Sequence, residues 1–306
     1  MHFHVVTLFP EMIRQSLEIG IVGQAVRDGR VGLSTLNPRE FTSDAHHSVD
    51  DRPFGGGDGM IMLAQTLADS VSALRERGAG SSAKVIHLSP RGIPLNDDLV
   101  RQLAHDLNDP SANHHGHLIL IASRYGGVDQ RLLNSEVDLE ISVGDYILSG
   151  GEIPALVLMD ALSRHSKGVV GNESSIELES FANGLLEHPQ FTRPREWEGQ
   201  AVPEALLSGH HEKIANWQAV VSFLVTLDRR PDLLAPLHRE QIRVLGKPLE
   251  RKFLEKARAL LESMTVMELK NCGLRSHDHL SLALEEIIVA TPETSLKKPR
   301  QARGPV

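Results

Sequence analysis

HLILIA, residues 117–122, decides the fold, and KVIHLS, residues 84–89, repeats its message. Each is a short, continuous apolar run bounded by polar or turn-forming residues, the pattern of a strand buried on both faces. Strands covered on both faces belong to a mainly parallel sheet between helical layers, so the fold class is α/β. Working outward, residues 3–9, 30–36 and 136–143 predict further strands. Apolar spacing through Met12, Ile13, Leu17 and Ile19, then Ile21, Val22 and Val26, predicts helix, as do the windows 64–77 and 95–106. IPALVLMDALSR at 153–164 is too apolar for a free surface helix and must pack on the sheet or on a second subunit. Residues 167–194 lack periodicity and read as a linker between two domains. Beyond it the pattern is helical: one long run at 210–229, broken by RRP at 229–231, then helices near 238–245, 249–262, 265–271 and 279–289. The basic tail SLKKPRQARGPV, 295–306, has the composition of a disordered segment.

With 306 residues and 41% apolar content, the chain can form about two domains, each with its own core. Cys272 is the single cysteine, which excludes an intrachain disulfide and a cysteine-based zinc site and points to a reducing, cytoplasmic compartment. The opening MHFHVVTLFPEM has no basic n-region and reads as a buried strand, and no stretch approaches the roughly 20 apolar residues of a membrane span. A formal charge of −8 argues against a general polyanion binder and leaves room for a local basic site.

Glycine-rich segments carry the chemistry. GDYILSGGE (144–152) lies between a predicted strand and the apolar helix, where open α/β sheets bind ligands. HLSPRG (87–92) and ASRYGGVD (122–129) occupy the same kind of position, so three loops converge on one crevice. DRPFGGGDGM (51–60) is neither a Walker loop nor a dinucleotide fingerprint, since it lacks the GK[ST] ending and a strand directly before the glycines. Loops so poor in charge suit backbone recognition of an adenine edge and a ribose better than of a triphosphate. The histidine pairs at 46–47, 114–115 and 210–211 lack HExxH spacing, and adjacent residues seldom reach one ion, so no metal site is expected from them. Cys272 reads as an inert structural thiol.

In order along the chain, LFPEM (8–12), DDRPFGGGDGM (50–60), LSPRG (88–92), RYGGVD (124–129), SVGDYILSGGE (142–152), ESFANGLLEHPQFTRP (179–194) and VPEALLSGHHEKIANW (202–217) resemble the bacterial tRNA (guanine-N1)-methyltransferase family of the SPOUT superfamily. The resemblance spans roughly residues 1–235. It implies a SPOUT-type parallel sheet with a deep trefoil knot over 1–166, a flexible linker over 167–194, a helical tRNA-binding domain over 195–240, and an extension with a basic tail, 241–306, outside the family pattern. It implies a homodimer that methylates N1 of guanosine 37 of tRNA, when a guanosine precedes it, with S-adenosyl-L-methionine as donor. By position Glu179 matches the family's catalytic Asp and Arg164 its catalytic Arg. Cofactor residues carry over as His87, Leu88, Ser89, Pro90, Ser123, Tyr125, Val143, Gly144, Tyr146, Leu148, Gly150, Gly151 and Pro154. Asp50, Arg52, Gly55, Gly56 and Gly57 match the block near the target guanosine.

Three departures accompany these matches. Ser123 stands where the family has Gly, and Gly126 stands where it has a Glu associated with Mg2+, so magnesium is an implied cofactor whose ligand set is altered here. Gln218, Ala219, Val220 and Val221 are uncharged where the family shows Arg and Lys, and Lys297, Lys298, Arg300 and Arg303 of the tail are candidates to replace that basic grip. Two rivals stay open on the sequence: a non-catalytic relative that binds RNA or an adenosine ligand, and a methyltransferase for another RNA position.

Overall fold

The computed structural model describes residues 1–112, 116–171, 176, 179–235, 239 and 241–291. The histidine pair at 114–115 and the basic tail lie outside them. The chain divides into two compact units, residues 1–173 and 174–306.

The first unit is built on strands β1 (His2–Thr7), β2 (Gly32–Leu36), β5 (Lys84–Pro94), β6 (His117–Ala122) and β7 (Leu139–Ser142), with a two-residue antiparallel pair, β3 (Asp50–Asp51) and β4 (Ile61–Met62), set apart. The five strands form one sheet in the order β2-β1-β6-β5-β7, every pair parallel. Side chains alternate across a strand, and the alternation sorts the core into two layers. Phe3, Val5, Leu118, Leu120, Ile86 and Leu88 share one cluster with buried residues of α1 (Pro10–Ser16), α2 (Gly20–Arg27), α4 (Asp97–Asn108) and α6 (Glu152–Ser163). Val6, Leu36, Val85, Ile119 and Ile121 face the opposite cluster, completed by α3 (Ala64–Leu74) and α5 (Gln130–Glu136). Burial on both faces is why these strands read as unbroken apolar runs.

Local chemistry sets several boundaries. Asn96 caps α4, its side-chain oxygen accepting the Leu99 amide at 2.9 Å, and Asp97 and Asp98 complement the amino-terminal dipole. The helical pattern through residues 12–26 resolves into two helices. The strand expected at 136–143 is shorter because α5 takes Glu136. Conversely, the strand expected at 84–89 continues to Pro94, with an irregularity between Leu88 and Ile93 that lets both ends of the bulge pair with Ile141.

At the amino-terminal ends of β1 and β6 the rings of His2, His4 and His117 stack, with centroids 4.3 to 5.6 Å apart. Burial, then the neighbouring imidazoles of His2 and His117, pushes the His4 ring down to about 4.

The second unit packs around the helix His211–Arg229, whose Trp217, Val220, Val221, Phe223 and Leu224 are buried. Helices Arg251–Ser263, Val266–Asn271 and His277–Ala290 supply Leu254, Leu261, Leu269, Leu280, Leu284 and Ile287 to the same core, which therefore crosses residue 240. Val220 and Val221, uncharged where the resemblance calls for basic residues, lie in the core that the extension completes. Residues 238 and 240 of the helix expected near 238–245 lie outside the described residues, and its described end instead forms an antiparallel bridge of Arg243–Val244 with Lys247–Pro248, across a turn in which Leu245 and Gly246 take positive φ. Within the segment read as linker, Leu185 is buried and the Leu186 amide donates to Thr226 Oγ1 at 2.8 Å, while Phe181, Glu187, Gln190 and residues 192–194 are exposed. Cys272 is buried, which pushes its thiol up to about 11, as suits an inert structural role. Among the described residues no helix is long and apolar enough to cross a membrane.

Candidate active site

The carboxyl ends of β5, β6 and β7 open onto a cavity of about 930 Å³ within the first unit. Its walls are the bulge of β5, the loop after β6 and the loop after β7. Each cofactor residue inferred from the sequence lines it: His87, Leu88, Ser89 and Pro90 from β5, Ser123 and Tyr125 after β6, and Val143, Gly144, Tyr146, Leu148, Gly150, Gly151 and Pro154 from the β7–α6 connection. Two of these carry unusual backbone: Gly144 has φ +147° and Tyr125 has φ +61°. At Gly151 the requirement is contact, since a Cβ there would sit 2.7 Å from the Ala122 Cα and 2.8 Å from the Ser123 amide. The Gly151 amide donates to the Ser123 carbonyl at 2.8 Å, so the loops after β6 and β7 are bound backbone to backbone.

The β3–β4 block joins the same wall. Met62 donates its amide to the Gly127 carbonyl at 2.9 Å, and the Gly126 amide donates to the Met60 carbonyl at 2.8 Å. Asp51, Arg52 and Phe54 consequently line the cavity, Phe54 fully exposed to solvent. Asp50 pairs with Met62 in the ladder and is not a lining residue; Gly55, Gly56 and Gly57 form a loop of positive φ with open space around them.

Two polar networks stabilise the walls. His87 Nδ1 lies 3.0 Å from Glu140 Oε1, and its Nε2 lies 2.9 Å from Ser123 Oγ. Burial pushes the His87 imidazole below its ordinary range, against the opposing pull of Glu140. A neutral ring fits both contacts when Nδ1–H donates to the carboxylate and Nε2 accepts from the Ser123 hydroxyl. Because the folded ring binds its proton less readily than the unfolded one, this contribution to stability is present above about pH 6.5 and is lost as pH falls below it. We expect the thermal midpoint to drop between pH 7 and pH 5, with a shallower drop in His87→Gln; scanning calorimetry across that range checks this, and equal slopes would refute it.

In the second network Glu152, 1% exposed, accepts from Thr7 Oγ1 at 2.9 Å and faces Arg124 Nη1 at 3.4 Å. The Arg124 guanidinium also covers the Phe9 ring, 4.7 Å from its centroid. These residues escape sequence reasoning because Thr7 and Glu152 are 145 positions apart. The available signal is a lone carboxylate opening an apolar helix, a group that needs a buried partner. On the rim, hydrogen bonding to Arg131 holds Asp129 down to about 2.

Of the two proposed catalytic groups, Arg164 closes α6 as its carboxyl-terminal cap, is half-buried, and is not among the lining residues. Glu179 belongs to the second unit, where its carbonyl accepts the Ala182 amide at 3.3 Å in a turn that leads to the buried Leu185.

A parallel sheet, a crevice at its carboxyl ends and walls built of glycine-rich loops define the class: an α/β fold with its cavity where such sheets characteristically take ligands. The family model described as tRNA (Guanine-1)-methyltransferase TrmD matches residues 1–236. Curated relatives carrying the name tRNA (guanine-N(1)-)-methyltransferase include one from Aeromonas salmonicida, 49% identical over 230 residues, covering 75% of this chain and 88% of the relative. Another, from Shewanella oneidensis, is 49% identical over 233 residues, covering 76% and 90%; one from Vibrio vulnificus is 47% identical over 233 residues with the same coverage. The chain belongs to the tRNA (guanine-1)-methyltransferase family.

Proposed function

We infer that this chain is a tRNA (guanine-N1)-methyltransferase that uses S-adenosyl-L-methionine to methylate guanosine 37 where another guanosine precedes it, which maintains the reading frame in translation. One observation carries the reading: every cofactor residue expected from the resemblance lines a single cavity at the strand ends. A volume of about 930 Å³, apolar walls from Leu88, Ile141 and Pro154, and exposed loop backbone suit an adenosine with an amino-acid tail. His87, Ser89, Tyr125, Gly144, Tyr146 and Leu148 would hold it. When bound it supplies an electrophilic methyl group on a sulfonium, so the protein has to position the donor more than activate it.

Guanine N1 carries a proton and is a poor nucleophile. Glu179 is the general base that removes that proton, and Arg164 steadies the negative charge that develops on O6. Asp50, Arg52 and the 55–57 loop face the target nucleotide, with Phe54 offering an exposed ring for stacking. Magnesium does not fit the position the family suggests: Gly126 supplies no carboxylate, a Cβ there would meet the Met60 carbonyl at 3.0 Å, and Asp129 is engaged by Arg131 at 2.6 Å. No step runs through it.

The same reading includes a SPOUT-type trefoil knot in the first unit. The tight passage of the 143–151 connection against the loop after β6, and of Gly92 against Glu140 and Ile141, supports it. It includes a homodimer, supported by exposed Met12, Ile153 and Val157 on α1 and α6, and a cytoplasmic address. Within it, residues 1–166 take the cofactor, 167–194 connect, 195–240 grip tRNA, and the described part of 241–306 braces that grip. Retention of Arg164 and of a carboxylate at 179 favours catalysis over a binding-only relative.

The test mixes purified protein, labelled S-adenosyl-L-methionine and an unmodified tRNA transcript with guanosines at positions 36 and 37, and maps the methyl group by mass spectrometry. The expected product is N1-methylguanosine at position 37. No transfer despite cofactor binding would overturn the reading.

A further inference from the structure

We propose that His2, His4 and His117 form a zinc(II) site that ties β1 to β6 at the end of the sheet opposite the crevice. Register brings them together: His2 pairs with His117 across the parallel ladder, and His4, two residues on, projects from the same face. One nitrogen from each ring lies within 4.8 Å of the others. His4 Nε2 and His117 Nδ1 are already 3.0 Å apart, close to the separation of about 3.3 Å that a tetrahedral zinc imposes on two ligands held at 2.0–2.1 Å. The rings are stacked, with 13° to 22° between their planes, so ligation requires the His2 and His117 side chains to turn until their in-plane lone pairs converge.

The surroundings point the same way. His4 is 3% exposed, with Nε2 meeting His117 and Nδ1 finding no hydrogen-bond partner among the described residues, so a polar ring is buried here with a single polar contact. His2 Nε2 contacts Ser34 Oγ at 2.7 Å, the kind of outer partner that fixes the orientation of a ligating imidazole. Gly32 makes room for that ring, since a Cβ there would lie 2.2 Å from His2 Nδ1. His2 and His117 are half-buried, which gives the ion an entry path and leaves a fourth position for water. Three imidazoles with no carboxylate or thiolate suit a borderline cation such as zinc and offer little to magnesium or calcium. The methyl-transfer site uses none of these groups, and sequence reading passed over them because it weighed adjacent histidine pairs, whereas this set joins residues 113 positions apart.

The full chain, stripped with a chelator and dialysed, would be titrated with zinc chloride in competition with a chromophoric chelator. We expect one equivalent per chain, affinity at least about tenfold weaker in His2→Gln and in His117→Gln, and a zinc-dependent rise in thermal midpoint that both variants lose. Unsaturable uptake, or variants that bind zinc as tightly as the parent, would overturn the site. Cobalt(II) provides an arm independent of the variants: intense visible d–d bands in the wild-type chain support a tetrahedral nitrogen site, and the weak spectrum of the hydrated ion refutes it.

Discussion

Glu179→Gln should bind S-adenosyl-L-methionine within about twofold of the parent and turn over about a hundred- to ten-thousand-fold more slowly, the usual contribution of a positioned general base. The substitution keeps size and hydrogen-bonding reach but removes the carboxylate proposed to accept the proton of guanine N1. Cofactor affinity should hold because, among the described residues, those that wall the crevice belong to the first unit, whereas Glu179 belongs to the second. Single-turnover methylation beside calorimetric cofactor binding separates the two effects. Glu179→Asp, which restores the family's carboxylate one methylene shorter, should recover most of the rate. Unchanged turnover in the glutamine variant would remove Glu179 from the mechanism, leaving Asp51, a carboxylate that lines the cavity, as the next candidate.

Much of the cavity wall was legible because its determinants are local. HLILIA and KVIHLS announce doubly buried strands, and the segments that follow them carry the turn and the cavity-lining backbone within a few residues. What the sequence hides depends on long-range pairing. Glu152 makes sense only once Thr7 and Arg124 are beside it, and the three histidines only once β1 and β6 are in register. The stretch near 238–245 failed differently: its apolar spacing suits a helix, yet part of it is spent on a tight bridge that returns Val244 and Ile242 to the core. The uncharged turn after Trp217 likewise read as a missing grip on RNA. Packing gives another cause, since Val220 and Val221 are buried in the core the extension helps to form, and a charge there would be desolvated without a partner.

That packing changes what truncation should do. A chain ending at residue 240 should lose the fold of its second unit altogether, rather than merely weaken its hold on RNA. Leu254, Leu261, Leu269, Leu280, Leu284, Ile287 and Ile288 would be removed from a core they share with Trp217, Phe223 and Leu224. At about 1.5–3 kcal/mol for each buried side chain, the seven together are worth roughly 10–20 kcal/mol, comparable to or larger than the roughly 5–15 kcal/mol by which a domain is usually stable. The first unit keeps both of its clusters and its cavity, so the truncated chain should still bind S-adenosyl-L-methionine while tRNA methylation falls at least about a hundredfold. Limited proteolysis should then cut freely beyond residue 179, and the calorimetric transition of the second unit should vanish. Lys252→Gln with Lys256→Gln isolates the other role, because both side chains are exposed on the helix Arg251–Ser263 and their loss spares the core. If the extension also grips phosphate, this pair should lower the salt dependence of tRNA binding by about one to two counterions with no change in thermal midpoint. An unchanged salt slope beside a collapsed truncation would make the extension a brace alone, and an intact second unit in the truncated chain would refute the packing argument.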